Sequence, residues 1–179
     1  MAARLSEYVV RARKGERAAI AELYERFHRA VHGVMLARVS YRDAADLVQD
    51  VFAIVIERLP QLDDPEAFPG WIMQIARNRA TDHLRAKKPI VDEDELEGLS
   101  TSDSGVRRSP EIKRVLAALR SLPETYQETM IMRFVEGLSG SEIAEQTGLT
   151  PGSVRVNLTR GMKLLREKLG IEGGESDVG

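Results

Sequence analysis

Two segments of the chain combine a local excess of positive charge with side chains that can hydrogen-bond the edges of DNA bases. In the first, from Trp71 to Lys88, five basic residues accompany one acidic residue, a local charge of +4. Helical spacing places five polar side chains on one face of this segment: Gln74, Arg77, Asn78, Thr81 and Arg85. Gln, Asn and Arg make bidentate hydrogen bonds to bases. The ring of Trp71 can stack on an unpaired base, although tryptophan is also common in hydrophobic cores.

The second segment lies near the C-terminus and begins with a strong helix-start signal. Ser139 followed three residues later by Glu142 forms a capping box, and the apolar residues Leu138 and Ile143 flank it as a hydrophobic staple. Gly148 is expected to end this short helix. A second start signal comes directly afterwards, so a short helix, a tight turn and a longer helix follow one another. This order is typical of a helix-turn-helix motif.

The longer helix is predicted from 151 to 169, with Thr150 as its N-cap and Pro151 at its first position. Its expected buried stripe consists of Val154, Leu158, Met162 (or Gly161), Leu165 and Leu169. Five basic residues and one acidic residue give it a local charge of +4. We assign Val156, Thr159 and Arg160 to base contacts and Arg155 and Lys163 to phosphates, as in a recognition helix. The alternative is a solvated basic face on an ordinary helical hairpin, but the two adjacent capping motifs favour DNA binding.

A third feature is an acidic face between Asp43 and Arg58. Here Asp43, Asp46 and Asp50 alternate with apolar residues at helical spacing. Such a face could dock on a basic helix of another protein. The alternative is an ordinary amphipathic core helix, which the residue pattern by itself favours.

The elements that position these residues are predicted to be helices throughout. Apolar residues recur at three- and four-residue spacing over 16–59, with a stripe of Ala19, Leu23, Phe27 (or Ala30), Val31 and Val34. One helix is expected to end at Pro60, and the next begins at Pro65 or Pro69 and runs to about 88, with Ile72, Ile75, Ala76, Ala80 and Leu84 buried. Further helices are expected from 111 to about 121 and from about 123 onward. The sequence contains no alternating strand pattern.

The expected fold is therefore all-α, with two small helical domains joined by a flexible acidic linker. Residues 1–88 form the first domain, and 111–170 form the second. Between them, 89–110 is rich in Asp, Glu and Ser, a composition typical of a linker. Residues 171–179 are expected to be a disordered tail.

Composition excludes several classes of protein. The chain of 179 residues has no cysteine, which rules out disulfide scaffolds, Cys-ligated zinc and thiol catalysis. It contains no apolar run of membrane-spanning length and no signal-peptide pattern, so we expect a cytoplasmic protein without membrane insertion. The net charge of −2 argues against a tight, free-standing DNA binder, although the mean hides the two basic segments.

An enzymatic alternative rests on Glu25 and His28, which have the Glu-x-x-His spacing of di-iron bundles, with His32 one turn later. Such a centre needs two copies of the motif and two further glutamates. The chain has one copy, so we expect the histidines on a partly exposed helix face. A second alternative is a helix-turn-helix regulator that acts without polymerase, but it leaves the acidic face unexplained.

Four segments taken together resemble a known family. They are 43–52 (DAADLVQDVF), 68–85 (FPGWIMQIARNRATDHLR), Leu122-Pro123, and 135–139 (VEGLS) with Ile143-Ala144. In this order they are similar to the extracytoplasmic function (ECF) sigma factors of bacterial RNA polymerase, the group IV sigma-70 proteins. The chain departs from many relatives at Pro69-Gly70, at Val156-Asn157 and at Met162.

The resemblance implies a role for each segment. The first domain would bind the clamp helices of the polymerase β′ subunit through a set consisting of Asp43, Asp46, Leu47, Gln49, Asp50 and Phe52. It would recognise the melted −10 element through Gln61, Asp63, Asp64, Trp71, Gln74, Arg77, Asn78, Thr81 and Arg85. The second domain would contact the β flap and the double-stranded −35 element, the latter through Ser153, Arg155, Val156, Asn157, Thr159, Arg160 and Lys163.

The resemblance also implies a non-enzymatic transcription initiation factor without cofactor or metal, held by an anti-sigma factor. The 22 residues of the linker span about 75 Å when fully extended but only about 25 Å as a free coil. Two contact sites two DNA turns apart are separated by roughly 70 Å. A free chain therefore seldom presents both domains correctly, which is a physical reason for needing the polymerase as a scaffold.

Overall fold

The structure, a computed structural model, describes residues 2–87 and 110–171, and every regular element within these ranges is helical. The eight α-helices are α1 Ala2–Arg13, α2 Arg17–Arg38, α3 Tyr41–Arg58, α4 Phe68–Ala86, α5 Pro110–Arg120, α6 Glu124–Phe134, α7 Gly140–Thr147 and α8 Pro151–Leu169. Short 3-10 turns cover Leu59–Gln61 and Pro65–Ala67. The all-α prediction is confirmed. The predicted linker, apart from Pro110, and the predicted tail beyond Ile171 lie outside the described residues.

Helix α2 is the centre of the N-terminal group, where it contacts α1, α3 and α4. Its predicted stripe is buried, including both Phe27 and Ala30. Near its end, α2 is buried on all sides over 33–37. The cause is that helices of the C-terminal group pack on the side of α2 that the N-terminal group leaves open. Helix α1 is an element that the sequence pattern did not single out. It packs on α2 through Leu5 and Val9.

The boundaries of α3 and α4 follow from their capping residues. The Ser40 side chain accepts a hydrogen bond from the Asp43 backbone N–H and so begins α3. Helix α3 ends at Arg58, and Pro60 lies in the 3-10 turn that follows. Helix α4 begins at Phe68 with Pro69 in its first turn, where a missing N–H costs nothing.

The prediction that Leu84 is buried was wrong, since this residue is 47 % exposed. The other four predicted core residues of α4 are buried. The end of α4 meets the start of α3 through hydrogen bonds from His83 and Lys87 to the Asp43 carboxylate.

The capping signals of the C-terminal group are confirmed in detail. Ser139 and Glu142 form both hydrogen bonds of the capping box at the start of α7. Gly148 ends α7 in the left-handed conformation, with φ of +75°. The Thr150 side chain accepts a hydrogen bond from the Ser153 backbone N–H at the start of α8. These motifs succeed because they depend on neighbours in sequence.

The buried stripe of α8 contains Gly161 rather than Met162. A Cβ at Gly161 would lie 2.6 Å from Met130 Cγ, so only glycine lets α8 approach α6 this closely. Val154 and Leu165 are buried as expected. The other expected members of the stripe are half-buried, namely Leu158, Met162 and Leu169. The fully buried face of α8 is therefore narrow.

The two helical groups pack against each other within one continuous hydrophobic core. Helix α6 lies along α2, and α7 contacts both α2 and α4. Gly33 of α2 allows a close approach to α6, since a Cβ there would lie 2.9 Å from Met132 Cγ. Among the helices described, none has the length and apolar character needed to cross a membrane.

Replacing the N-cap serine tests the helix-turn-helix start. We expect Ser139→Ala to lower the free energy of unfolding by about 1 kcal/mol because the first turn of α7 loses its capping acceptor. The melting temperature should fall by roughly 2–4 °C in thermal circular dichroism. Ser141→Ala is the matched control, since Ser141 is an exposed serine of the same helix outside the capping box. Equal melting temperatures for the two variants would contradict the assignment.

Candidate nucleic-acid and protein interfaces

Four side chains of the face of α4 predicted to contact nucleic acid are exposed to solvent. Gln74, Asn78, Thr81 and Arg85 are exposed along it. The Gln74 side-chain amide donates to Asn78 Oδ1 at 2.9 Å, which holds these two amide side chains next to each other. The Thr81 hydroxyl donates to the Arg77 backbone oxygen and is therefore partly committed to the helix itself.

Trp71 lies at the N-terminal end of the same face and is half-buried. Its ring packs against Phe68 of the core, with ring centroids 5.9 Å apart. Part of the Trp71 ring therefore packs in the core, and the rest of the ring is exposed to solvent. The preceding loop exposes three predicted site residues: Gln61, Asp63 and Asp64.

Arg77 differs from the rest of this face because its guanidinium is engaged by the other helical group. Its Nε and Nη2 atoms donate to the two carboxylate oxygens of Glu128 on α6, at 2.9 and 2.8 Å. Arg38 of α2 donates to the same carboxylate. Burial alone would raise the pKa of Glu128, but the hydrogen bonds and charges of the two arginines outweigh burial and lower it. Glu128 is therefore ionised and bound from two sides.

Helix α8 presents most of the predicted recognition residues to solvent. Exposed side chains extend along it from its first turn: Ser153, Arg155, Val156, Thr159, Arg160 and Lys163. Ser153 lies within the Thr150 cap, with the two hydroxyl oxygens 2.9 Å apart. Asn157 is a partial exception, since it is half-buried and its amide faces Thr129 Oγ1 of α6 at 3.5 Å.

The acidic face of α3 is partly neutralised by α4. The Asp43 carboxylate receives hydrogen bonds from Ser40, His83 and Lys87. Burial opposes ionisation of this group, but these hydrogen bonds prevail and lower the pKa of Asp43 to about 2. Asp43 therefore fastens the end of α4 to the start of α3.

Farther along α3, Asp50 accepts two hydrogen bonds from Arg79, at 2.7 and 3.1 Å. Asp46, Gln49 and Asp50 are exposed, and Gln49 also donates to the Tyr24 hydroxyl. These three residues form the outward part of the predicted protein-binding face.

Two members of the predicted protein-binding set need correction. Leu47 and Phe52 are only 3 % and 6 % exposed. The Phe52 ring packs against Tyr24 of α2, with centroids 4.6 Å apart. Both side chains support the face from beneath because helical spacing turns them inward, so they are not part of its surface.

The two histidines of the di-iron alternative, His28 and His32, contact other groups of the protein. His28 stacks on Tyr24, and its Nδ1 faces backbone oxygens of its own helix. His32 Nδ1 lies 2.6 Å from Glu136 Oε1 of the C-terminal group. Across 2–87 and 110–171, no cluster of three or more His, Cys, Asp or Glu residues has the geometry to hold a metal ion.

Comparison with known proteins finds two family regions in the chain. Residues 23–90 match Sigma-70 region 2, and 112–165 match Sigma-70 region 4. The chain is 33 % identical over 165 residues to the RNA polymerase sigma factor CarQ of Myxococcus xanthus, covering 89 % of this chain and 94 % of CarQ.

The chain is also 27 % identical over 175 residues to the ECF RNA polymerase sigma-E factor of Escherichia coli, covering 90 % and 92 % of the two chains. The chain belongs to the ECF group of the sigma-70 family of RNA polymerase sigma factors. The regulator that acts without polymerase is not favoured. The fold matches the structure of CnrH in complex with the cytosolic domain of CnrY, with a TM-score of 0.60 at 22 % identity, covering 94 % of this chain and 99 % of that one.

Each family region falls within one helical group. Sigma region 2 extends from within α2 past the end of α4, and sigma region 4 extends from within α5 to within α8. The interface between them is the part that sequence reasoning missed. Glu128 has no distinguishing local signal, because it is one of two glutamates in an amphipathic helix.

The Asp43 network predicts a specific pH dependence of stability. A carboxylate with a lowered pKa stabilises the folded state above its ordinary pKa, and the contribution is lost as the pH falls toward 2. We expect Asp43→Asn to lower the free energy of unfolding by about 1 kcal/mol at pH 7, and the difference from wild type should shrink between pH 5 and pH 3.

Urea unfolding at pH 7, 5 and 3 measures this difference. Asp46→Asn is the control, since Asp46 is an exposed aspartate of the same helix. A wild-type stability advantage over Asp43→Asn that stays constant down to pH 3 would contradict the network.

Proposed function

We propose that this sigma factor divides promoter recognition between its two helical groups. The N-terminal group, residues 1–88, binds core polymerase and the −10 element, and the C-terminal group, 111–170, binds the −35 element. The observation that supports this proposal is a pair of exposed helix faces, one on α4 and one on α8. Each face carries basic side chains and side chains that can hydrogen-bond a base, and each lies in a different sigma region.

The α4 face has the chemistry of single-strand recognition. Trp71 offers part of an aromatic surface on which a base can stack, and Gln74 and Asn78 can hydrogen-bond an exposed base edge. Extruding a base from a duplex costs a few kcal/mol, which stacking and hydrogen bonding must offset. The exposed loop residues Gln61, Asp63 and Asp64 lie just before this helix and would complete a pocket for a flipped base of the non-template strand.

The α8 face has the chemistry of duplex recognition. Its N-terminal half presents Val156, Thr159 and Arg160, and a recognition helix contacts bases with this part. Arg155 and Lys163 flank these residues and would neutralise phosphates. Ser153 and Asn157 complete the proposed set, although the amide of Asn157 faces α6 in this arrangement.

The exposed part of the α3 face is proposed to dock on the clamp helices of the β′ subunit. Asp46, Gln49 and Asp50 present acidic and amide oxygens, which complement a basic helix. Asp43 contributes by holding α3 and α4 together, and Leu47 and Phe52 by supporting the face from the core. The C-terminal group is proposed to contact the β flap.

Two further points belong to this proposal. The protein is a non-catalytic factor that acts in the cytoplasm without cofactor or metal, because its role is to bind polymerase and promoter DNA. An anti-sigma factor is its proposed regulator. The similarity to CnrH, whose structure was determined with a bound protein, supports a protein partner.

A gel shift on a pool of genomic promoter fragments tests the function. The protein alone, core polymerase alone and both together are compared. We expect selective, heparin-resistant complexes only when both are present. Selective binding by the protein alone, unchanged by core polymerase, would contradict the proposal.

Arg160→Ala tests the role of α8. We expect transcription from a promoter of the selected pool to fall by about tenfold while affinity for core polymerase stays unchanged, since one good base contact contributes about 1–3 kcal/mol. Arg166→Ala is the control, because Arg166 is an exposed arginine near the end of the same helix and outside the proposed set. Unchanged transcription by Arg160→Ala would remove this residue from the −35 contact.

Asp50→Lys tests the polymerase-binding face. It reverses the charge of the face and places a lysine against Arg79, so affinity for core polymerase should fall by about tenfold or more. The measurement is a fluorescence titration with core polymerase. Glu57→Lys, at an exposed position nearer the end of α3, is the charge-matched control. Wild-type affinity of folded Asp50→Lys would show that this face does not bind polymerase.

A further inference from the structure

A cavity of about 350 Å³ lies between α2 and α7. Its lining residues belong to none of the residue sets proposed above for promoter DNA or polymerase. The volume falls within the range of about 300–1,000 Å³ that is typical of small-molecule sites. Phe27 and Leu138, each only 1 % exposed, form an apolar part of the lining. The cavity therefore offers a ligand both a hydrophobic surface and the polar groups around it.

The charged groups that line this cavity are predominantly acidic. Two carboxylates come from α2 and two from α7: Glu22, Glu25, Glu142 and Glu145. Two basic groups accompany them, the guanidinium groups of Arg26 and Arg29. The acidic groups exceed the basic ones by two, so the lining favours a ligand with about two positive charges.

Both arginines are engaged by other parts of the protein. Arg26 Nε donates to Glu22 Oε1 at 2.8 Å, and its guanidinium lies over the Tyr8 ring, 5.1 Å from the ring centroid. Arg29 donates to the backbone oxygen of Glu136. Because these donors have partners already, they leave acceptor sites on the carboxylates of the cavity.

The carboxylates keep capacity for further hydrogen bonds. Glu142 Oε2 accepts from the Ser139 backbone N–H at 2.7 Å, and the hydrogen bonds of this cap lower the pKa of Glu142, which is therefore ionised. An ionised carboxylate offers about four acceptor positions on its two oxygens. Glu25 is exposed, and within 2–87 and 110–171 it forms no ion pair. A cationic donor would find acceptors on both sides of the cavity.

Gln146 of α7 separates this cavity from an ordinary acidic surface. Its side chain lines the cavity, and the residue is only 8 % exposed. Within the described part of the chain, its Oε1 atom has no hydrogen-bond partner. Leaving a buried acceptor unsatisfied is costly, and most such atoms in proteins have a partner. A ligand that donates a hydrogen bond would satisfy this oxygen.

These features together define the chemistry of the ligand. It must donate hydrogen bonds to Gln146 and the carboxylates, carry positive charge, and cover the apolar surface of Phe27 and Leu138. A bare metal ion does not meet these needs, since none of the described His, Cys, Asp and Glu residues form a cluster that could hold one. An aliphatic polyamine does, because its ammonium groups only donate and its methylene chain packs on apolar surface.

We propose that the cavity between α2 and α7 binds a small aliphatic polyamine. Its ammonium groups donate to Gln146 Oε1 and to the surrounding carboxylates, and its chain packs on Phe27 and Leu138. The ligand contacts two helices at once, so its binding stabilises the folded chain by mass action. This inference does not depend on the proposed roles of the α4 and α8 faces.

Isothermal titration of the full chain with spermidine tests the proposal. At about 0.15 M salt, where distant surface charges are screened, we expect saturable one-to-one binding and a higher melting temperature with spermidine. Gln146→Met keeps the length of the side chain and removes the acceptor, so the affinity for spermidine should fall by about tenfold. The melting temperature of this variant without spermidine should not fall, because Oε1 has no partner to lose.

Glu25→Gln provides a second variant at an exposed position, and it should weaken spermidine binding by about threefold. Glu57→Gln removes the same charge from an exposed position on α3 and is the matched control, with wild-type affinity expected. If Gln146→Met does not fold, the comparison of Glu25→Gln with Glu57→Gln decides the outcome.

Three results would overturn the proposal. The first is the absence of saturable binding of spermidine to the wild-type chain. The second is equal weakening by Glu25→Gln and Glu57→Gln, or an equal effect of Mg²⁺ at the same ionic strength, since either would show diffuse attraction to an acidic surface. The third is binding of an arginine-rich peptide but not of spermidine, which would assign the cavity to a side chain of a protein partner.

Discussion

The carboxylate of Glu128 is the point on which the arrangement of this molecule depends. It lies between Arg38, on the central helix of the first group, and Arg77, on the helix proposed to bind the −10 element. The low pKa of this glutamate reflects how strongly the two arginines outweigh its burial. The same guanidinium holds the two helical groups together and belongs to the proposed −10 face.

Local sequence signals predicted the parts of the fold that depend on neighbours along the chain. The capping box at Ser139, the cap at Thr150 and the end of α3 before Pro60 are of this kind. The alignment of Gln74 with Asn78 also followed from helical spacing. The family resemblance, rather than periodicity, supplied the roles in polymerase and promoter binding.

The parts that the sequence could not predict depend on contacts between distant residues. Glu128 and Arg77 are 51 positions apart, and Glu128 and Arg38 are 90 positions apart, so no local pattern connects them. The exposure of Leu84 depends on which neighbouring helices cover the end of α4. Periodicity predicts that a helix has an apolar face, but tertiary packing decides how far along the helix that face is covered.

The distance between the two helical groups tests the central claim most directly. Spin labels at Ala53→Cys and Lys168→Cys occupy exposed positions on α3 and α8 and are unambiguous in a chain without cysteine. Pulsed electron paramagnetic resonance should give one short distance in the free protein, replaced by a much longer one in the complex with core polymerase and promoter DNA. A free protein that already shows the long distance, or a promoter complex that keeps the short one, would contradict the account.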